Sequence, residues 1–339
     1  MNYEVALFSD EFFNTFPYHD REGWDKPERL LAAINGFRRA VPNAINIKPQ
    51  TNGLLAASLV HSSDYVSFIE EGSKLERSNI YGPTYIVGKE DAIFSKPISH
   101  KGLHTLYFFD AYTMADYGSC NGALLGASCA FDAAMWVKSA DIYSVRSAYI
   151  ACRPPGHHAF RNFGGGLCLF NNAAIAATVL KKDKRVAIID IDVDHGNGTQ
   201  SIFYESPDVF TFSIHAEGWP YVSGYVEEIG KNEGRNTNMN IPLPSGTTGE
   251  IYLEKLDIVI EKVKDFNPGY LVVALGFDAH KDDSYDGKFG LNASDFARIS
   301  NKIKKLGLPT VFTQEGGYNT LSTFSSSRAF FSEWMRNEP

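Results

Sequence analysis

The sequence predicts an α/β fold, with one open, mostly parallel sheet between helices. Short, nearly continuous apolar runs alternate with longer amphipathic runs along the 339 residues. The short runs are rich in Val, Ile and Phe, as strands covered on both faces must be. Strand followed by helix followed by strand implies crossover connections, and crossovers set strands parallel. No Pro/Ser-rich linker and no internal repeat divides the chain, so residues 1–339 are expected to form a single domain.

The elements follow in order. YEVALF (3–8) reads as the first strand. A helix is expected over 27–41 with Pro27 in its first turn, where a missing N–H costs nothing. Another is expected over 62–73. The stretch 76–117 has weak periodicity and many aromatics, and reads as a long functional loop plus a helix lining an entrance. Helix 121–138 leads to strand SAYIAC (147–152), and helix 170–182 to strand RVAIIDID (185–192). DVFTFSIH (208–215) is a strand, followed by helix 248–265 and strand GYLVVAL (269–275). Asn292 or Ser294 caps a helix over 293–306. Strand PTVFTQ (309–314) and helix 321–334 complete the pattern.

Composition narrows the function. Hydrophobic residues make up 44% and charged residues 21%, ordinary for a globular protein with a sizeable core. A net charge of -8 argues against a phosphate-tracking partner, so no nucleic acid is expected. MNYEVALFS lacks the basic region of a signal peptide, and no run of ~20 apolar residues predicts a membrane helix. Cys120, Cys129, Cys152 and Cys168 form no CxxC pair and read as buried free thiols. The expected location is cytoplasmic.

Four strand ends carry chemistry, and in open α/β sheets ligands bind beyond the carboxyl ends of strands. The third predicted strand end continues as IDIDVDHGNGTQ. Residues i, i+2 and i+4 of a strand share a face, so Asp190, Asp192 and Asp194 would converge there. Three carboxylates on one face repel unless a cation neutralises them. Asp278, after GYLVVALGF, is a natural further ligand. RPPGHHA places His157 and His158 behind a rigid turn, where imidazoles can take a proton from an attacking water and return one to a leaving amine. A nearby acid such as Asp190 would orient an imidazole. Tyr318 ends EGGY, where its hydroxyl could donate to a developing oxyanion. The GNG and GGG runs fit neither a dinucleotide nor a P-loop pattern, and no GxSxG elbow occurs.

In these motifs the chain resembles the arginase–deacetylase superfamily. More narrowly, it resembles the zinc-dependent histone deacetylase family and its bacterial relatives, the acetylpolyamine amidohydrolases. PERLLAAI, LVHSSDYVSFI, RPPGHHA, GGGLCLFNNAAIAA, DIDVDHGNGTQSIFY, FSIH, ALGFDAHKDD and EGGY carry the likeness, in the family's order. It implies a three-layer αβα domain with a mostly parallel eight-stranded sheet, and a metal-dependent amidohydrolase acting on a small acylated amine or an acetyl-lysine peptide. It implies that His158 is the general base and acid, with His157 its electrostatic partner, and that Tyr318 polarises the scissile carbonyl. Asp192 and Asp278 would be metal ligands. Asp190, Ser213, Ile214 and main-chain oxygens near Asp192 and Asp194 would hold a structural K+ or Na+. Gly166 would offer its carbonyl to the substrate amide, and Leu167 and Trp219 would line the acyl tunnel.

The departures carry expectations of their own. The family motif reads Asp-x-Asp-x-His-His-Gly, and Asp194 stands at its metal-binding histidine. Zn2+ remains the family's ion, while a third carboxylate favours harder ions, making Mn2+, Fe2+ or Mg2+ the alternatives. His195, of opposite parity, and His280 are candidate replacement ligands. The rival readings are a pseudo-deacetylase that only binds, and a ureohydrolase-like enzyme with two metals. Leu167 stands where an aromatic is usual. Glu11, Asp20, Glu22 and Asp25 are acids that could recognise a cationic tail. A homodimer is compatible with the sequence, which does not fix the oligomeric state.

Overall fold

A computed structural model describes residues 2–16, 23–75, 106–140, 144–218, 220, 222–283 and 289–336. Eight strands form one sheet: β1 Asn2–Phe8, β2 Ile45–Ile47, β3 Ser144–Ile150, β4 Val186–Asp190, β5 Val209–Ala216, β6 Asn238–Leu243, β7 Tyr270–Leu275 and β8 Thr310–Gln314. Their order across the sheet is β2-β1-β3-β8-β7-β4-β5-β6, and every pairing is parallel. The fold is the α/β arrangement expected. VAIID of β4, YLVVAL of β7 and TVFTQ of β8 are buried at every residue, which is why they lack an alternating pattern.

Helices Pro27–Ala40, Thr320–Met335, Ala293–Lys304 and Gly249–Phe266 pack in that succession, and Tyr117–Lys138 packs on Asn172–Leu180. In the first of these, Leu30, Ala33, Ile34 and Phe37 recur at helical spacing and are buried. Burying each large apolar side chain stabilises the fold by about 1.5–3 kcal/mol. Among the described residues, no helix is long and apolar enough to cross a membrane. The four cysteines are free and buried.

The differences from expectation have local causes. The helix placed at 121 begins at Tyr117, because Asp116 and Ser119 form a capping box ahead of it. Asn292, not Ser294, caps Ala293–Lys304, with Asp295 completing a second box. Two sheet strands were not anticipated: β2 has three residues, and β6 (NMNIPL) contains proline. Both lie at sheet edges, where Pro242 needs no ladder partner on one side. The short helices Phe12–Thr15, Gly53–Ala57 and Asn197–Phe203 were also missed. Of the loop proposed over 76–117, residues 76–105 lie outside the described residues, as do Trp219, Asp20 and Glu22.

Candidate active site

Because all strands run one way, their carboxyl ends share one edge, and the loops after β3, β4, β7 and β8 gather there. β4 stops at Asp190, two residues before the predicted end, so pleat parity does not gather the acids. The loop folds on its own carboxylates instead. Asp190 Oδ1 accepts from the Asp192 N–H at 3.1 Å, and Asp192 Oδ1 accepts from the Asp194 N–H at 3.0 Å. Asp278 Oδ1 accepts from the Val193 N–H at 3.0 Å, tying the β7 loop to the β4 loop.

Gly316 completes this junction. Its N–H donates to Asp192 Oδ2 at 2.8 Å. The position a Cβ would take on Gly316 lies 1.7 Å from Asp278 Oδ2 and 2.8 Å from Asp192 Oδ2. The absent side chain therefore leaves room in which two carboxylates from different strands meet. Asp192, Asp194 and Asp278 are all buried. Burial, then Asp192, Asp283 and Asp194, push the Asp278 carboxyl well above the usual carboxylate range. The crowded, buried pair Asp192 and Asp278 fits a divalent cation, which would relieve the repulsion, and Asp194 is tied to the pair through its N–H on Asp192 Oδ1. A second donor set, His157, Cys168 and Glu315, has ligand atoms within 4.8 Å of one another. It fits an ion less well, because Glu315 Oε2 already accepts from the Gly156 and His157 N–H groups at 2.7 and 3.1 Å, and Oε1 from the Thr313 hydroxyl at 2.8 Å.

The paired histidines have unlike partners. His157 Nδ1 lies 3.0 Å from Asp190 Oδ2, and its Nε2 is 3.8 Å from Asp192 Oδ1. Burial opposes a charge on His157, but Asp190, Asp192 and Glu315 outweigh it and hold its pKa well above the ordinary value. His158 Nδ1 lies 2.9 Å from Asn197 Oδ1. That oxygen also accepts from the Gly198 N–H at 2.9 Å, which fixes the amide's orientation. An amide oxygen only accepts, so His158 carries its proton on Nδ1 and Nε2 is its basic atom. The two rings lie 3.9 Å apart, centre to centre.

Tyr318 follows Gly317, whose φ of 120° belongs to glycine. Asp283 Oδ2 accepts from the Tyr318 and Asn319 N–H groups at 2.8 and 3.0 Å. The tyrosine ring meets Trp24 edge-on at 5.6 Å and lies under the Arg29 guanidinium at 5.0 Å. Asp192, Asp194, His157, His158, Gly316 and Tyr318 border a cavity of about 280 Å³, whose other walls are Trp24, Tyr112, Pro155, Gly166 and Leu167. Asp278 is not among the residues lining it, and its Oδ2 faces the lining residue Gly316. Asp110 builds the far wall: it accepts from the Tyr112, Thr113 and Gly166 N–H groups at 2.9, 2.7 and 2.6 Å, and Thr113 Oγ1 accepts from the Leu167 N–H at 2.9 Å. Leu167 is held at φ 69°, a left-handed conformation rare for a leucine.

Other expected residues lie elsewhere. The His195 ring nitrogens are engaged by Ser223 at 3.0 Å and Gln200 at 3.1 Å, and the ring packs against His215 at 4.7 Å, tilted by 49°. His280 Nδ1 accepts from the Asp282 N–H at 3.1 Å. Neither histidine borders the cavity, so the geometry gives no support to either as a replacement ligand. Asp25, offered as a site for a cationic tail, is fully buried between Arg29 and Arg153. Ser213 pairs with Asp190 in the sheet and its hydroxyl meets His215 Nδ1 at 2.9 Å, while Ile214 is buried beside it. Sequence reasoning missed Asn197, Glu315, Trp24 and Tyr112. Two of them had a usable signal: Asn197 lies seven residues beyond Asp190 in the same motif, and Glu315 opens EGGY.

Residues 24–334 match the histone deacetylase domain. An acetylpolyamine amidohydrolase of Burkholderia pseudomallei is 39% identical over 324 residues, covering 91% of this chain and 89% of that protein. One from Mycoplana ramosa is 33% identical, covering 94% and 91%. The crystal structure of an acetylpolyamine aminohydrolase from Burkholderia pseudomallei aligns with a TM-score of 0.87 at 29% identity, over 98% of each chain. Fold, cavity and these likenesses define a hydrolase acting on amides. The chain belongs to the histone deacetylase family, whose members use a divalent metal.

Proposed function

We propose that this chain, as one catalytic domain over 1–339, hydrolyses the amide of an acetylated amine, an acetylpolyamine or acetyl-lysine. The observation that carries the reading is the pairing of two histidines with unlike partners, beside converging carboxylates and a tyrosine, around one cavity. The relatives' names point to the amine class.

Asp192, Asp194 and Asp278 would hold the cation. When bound, the ion supplies Lewis acidity to the amide carbonyl and to water. His158 Nε2 takes the proton of the attacking water, a role its Asn197-fixed tautomer suits. His157, kept charged by Asp190, stabilises the negative charge that develops nearby. The Tyr318 hydroxyl donates to the oxyanion. The histidine pair then returns the proton to the leaving amine. The Gly166 carbonyl orients the substrate amide, with Trp24, Tyr112 and Leu167 enclosing the acyl-amine stem. Asp190, Ser213 and Ile214 would seat a structural K+ or Na+. Zn2+ is the family's ion, and the all-carboxylate set raises the standing of Mn2+, Fe2+ or Mg2+. Four free thiols suit a cytoplasmic enzyme.

Hydrolysis of acetylated polyamines and acetyl-lysine peptides by the metal-loaded protein tests the reading. Tyr318→Phe and His158→Ala should each fold and lose most turnover, and near-normal rates in either would remove that residue from the mechanism. Asp194 favours one rival, a binding protein without catalysis. Stoichiometric metal with no turnover on any acylated amine would establish it.

A further inference from the structure

Three charged side chains are sealed behind the cavity. Asp25 and Arg153 are fully buried and Arg29 is 2% exposed. Asp25 Oδ1 accepts from Arg29 Nη1 at 3.0 Å, and Asp25 Oδ2 lies 3.2 Å from Arg153 Nε, so one carboxylate bridges two guanidiniums. Each guanidinium then grips the backbone of a different stretch. Arg29 donates from Nε to the Gly317 carbonyl at 3.0 Å and from Nη2 to the Glu315 carbonyl, on either side of Gly316. Arg153 opens the loop that carries His157 and His158. It donates to the carbonyls of Phe13 at 2.9 Å, Phe16 at 2.8 Å and Asp25 at 2.6 Å. Trp24, adjacent to Asp25, lines the cavity against Tyr318.

Burying three charges is costly, and apolar packing stabilises a core as well or better. What apolar packing lacks is direction. An arginine presents five N–H donors in a rigid fork, and here the forks are spent on backbone carbonyls, all but that of Phe13 in segments without regular structure. We propose that Asp25 is a positioning residue. Through Arg29 it fixes the loop carrying Tyr318, and through Arg153 the loop carrying His157 and His158, so that the two groups keep one spacing. The proposal rests on the hydrolytic reading above for its kinetic consequence, though not for its structural one.

Asp25→Asn leaves two guanidiniums facing each other across a neutral amide, and their repulsion loosens the loops they hold. The wall of Tyr112 and Leu167 is built separately by Asp110 and Thr113, so of the side chains enclosing the substrate stem only Trp24 lies next to the clamp, and binding should suffer little beside turnover. In the full-length, metal-loaded protein, Asp25→Asn should lower kcat roughly ten- to a hundredfold, with KM changed by less than about threefold. Its cost should shrink in a Tyr318→Phe background, because the group it positions is already gone. Hydrogen exchange should quicken together in peptides covering 153–158 and 315–319, while β7 stays protected. Arg29→Lys, which keeps the charge but loses the fork, should give the same two kinetic results and quicken exchange in 315–319 while 153–158 stays held through Arg153, and it carries the test if Asp25→Asn does not fold. Losses that simply multiply with Tyr318→Phe, or loosening confined to residues 23–29, overturn the proposal. A wild-type protein without turnover sinks the hydrolytic reading alone. Exchange then decides: in Asp25→Asn both loops quickening supports the clamp and one or neither overturns it, and in Arg29→Lys an unchanged 315–319 loop overturns it.

Discussion

Gly316→Ala tests the convergence of Asp192 and Asp278 directly. The new Cβ would stand 1.7 Å from Asp278 Oδ2 and 2.8 Å from Asp192 Oδ2. Carbon and oxygen approach to about 3.3 Å, so the Asp278 oxygen must retreat by about 1.6 Å and the Asp192 oxygen by about 0.5 Å. Metal sites tolerate errors of about 0.2 Å in ligand distance. Backbone strain does not enter, because the φ of Gly316 lies outside the left-handed region. Both expected ligands are thus displaced by one methyl group that removes neither. Affinity for Zn2+ and Mn2+ should fall at least about 100-fold, some 3 kcal/mol, in calorimetric titrations of metal-free protein. Stability without metal should drop by no more than the about 1–3 kcal/mol typical of an overpacked site. A folded variant that binds metal as tightly as the wild type would refute the assignment of Asp192 and Asp278 as ligands.

Asn197→Asp places a carboxylate against His158 Nδ1. The charge favours imidazolium and raises the histidine's pKa, so the acid limb of kcat/KM should move to higher pH, and an unmoved limb would remove His158 as the base. Asp194→His should raise selectivity for Zn2+ over Mn2+ in competition titrations, and unchanged selectivity would place Asp194 outside the metal's contacts. His61 Nε2 accepts from the Asn171 N–H at 3.0 Å, which assigns the ring proton to Nδ1, and Nδ1 donates it to the Phe160 carbonyl at 2.8 Å. Burial lowers its pKa to about 4. The unfolded chain, with the ordinary value near 6.5, takes up the proton first, so stability present above about pH 6.5 should decline toward pH 4 by up to about 3 kcal/mol. Urea unfolding across that range should be flatter for His61→Gln, and equal slopes would exclude His61 as the cause.

Much of the fold could be read because its signals are local. LVVAL and VAIID announce doubly covered strands by composition alone, and Pro27 marks its helix start. β6 escaped because two of its buried residues are Asn238 and Asn240, which both donate to the one Gln200 side chain at 2.8 Å, so only Ile241 and Leu243 carry an apolar signal. At the site, the residues adjacent to the catalytic candidates in sequence were legible, whereas their supports were not. Asp110 and Gly166 are 56 positions apart, Arg29 and Gly317 are 288 apart. Asp25 read as a surface acid because isolated charges usually are, and only the closed fold brings two arginines to it. The acids after β4 were foreseen together for a reason that fails, strand parity, and are joined by turns closed on their own side chains.

The left-handed backbone at Leu167 restricts how the width of the slot can change. A side chain branched at Cβ is disfavoured at φ 69°, so valine or isoleucine could reshape the opening only by forcing the turn apart. Glycine or asparagine adopts the same backbone with ease. Engineering toward bulkier acyl groups should therefore begin with those two residues, since they enlarge or polarise the slot while the backbone N–H groups that donate to Thr113 Oγ1 and Asp110 keep its frame.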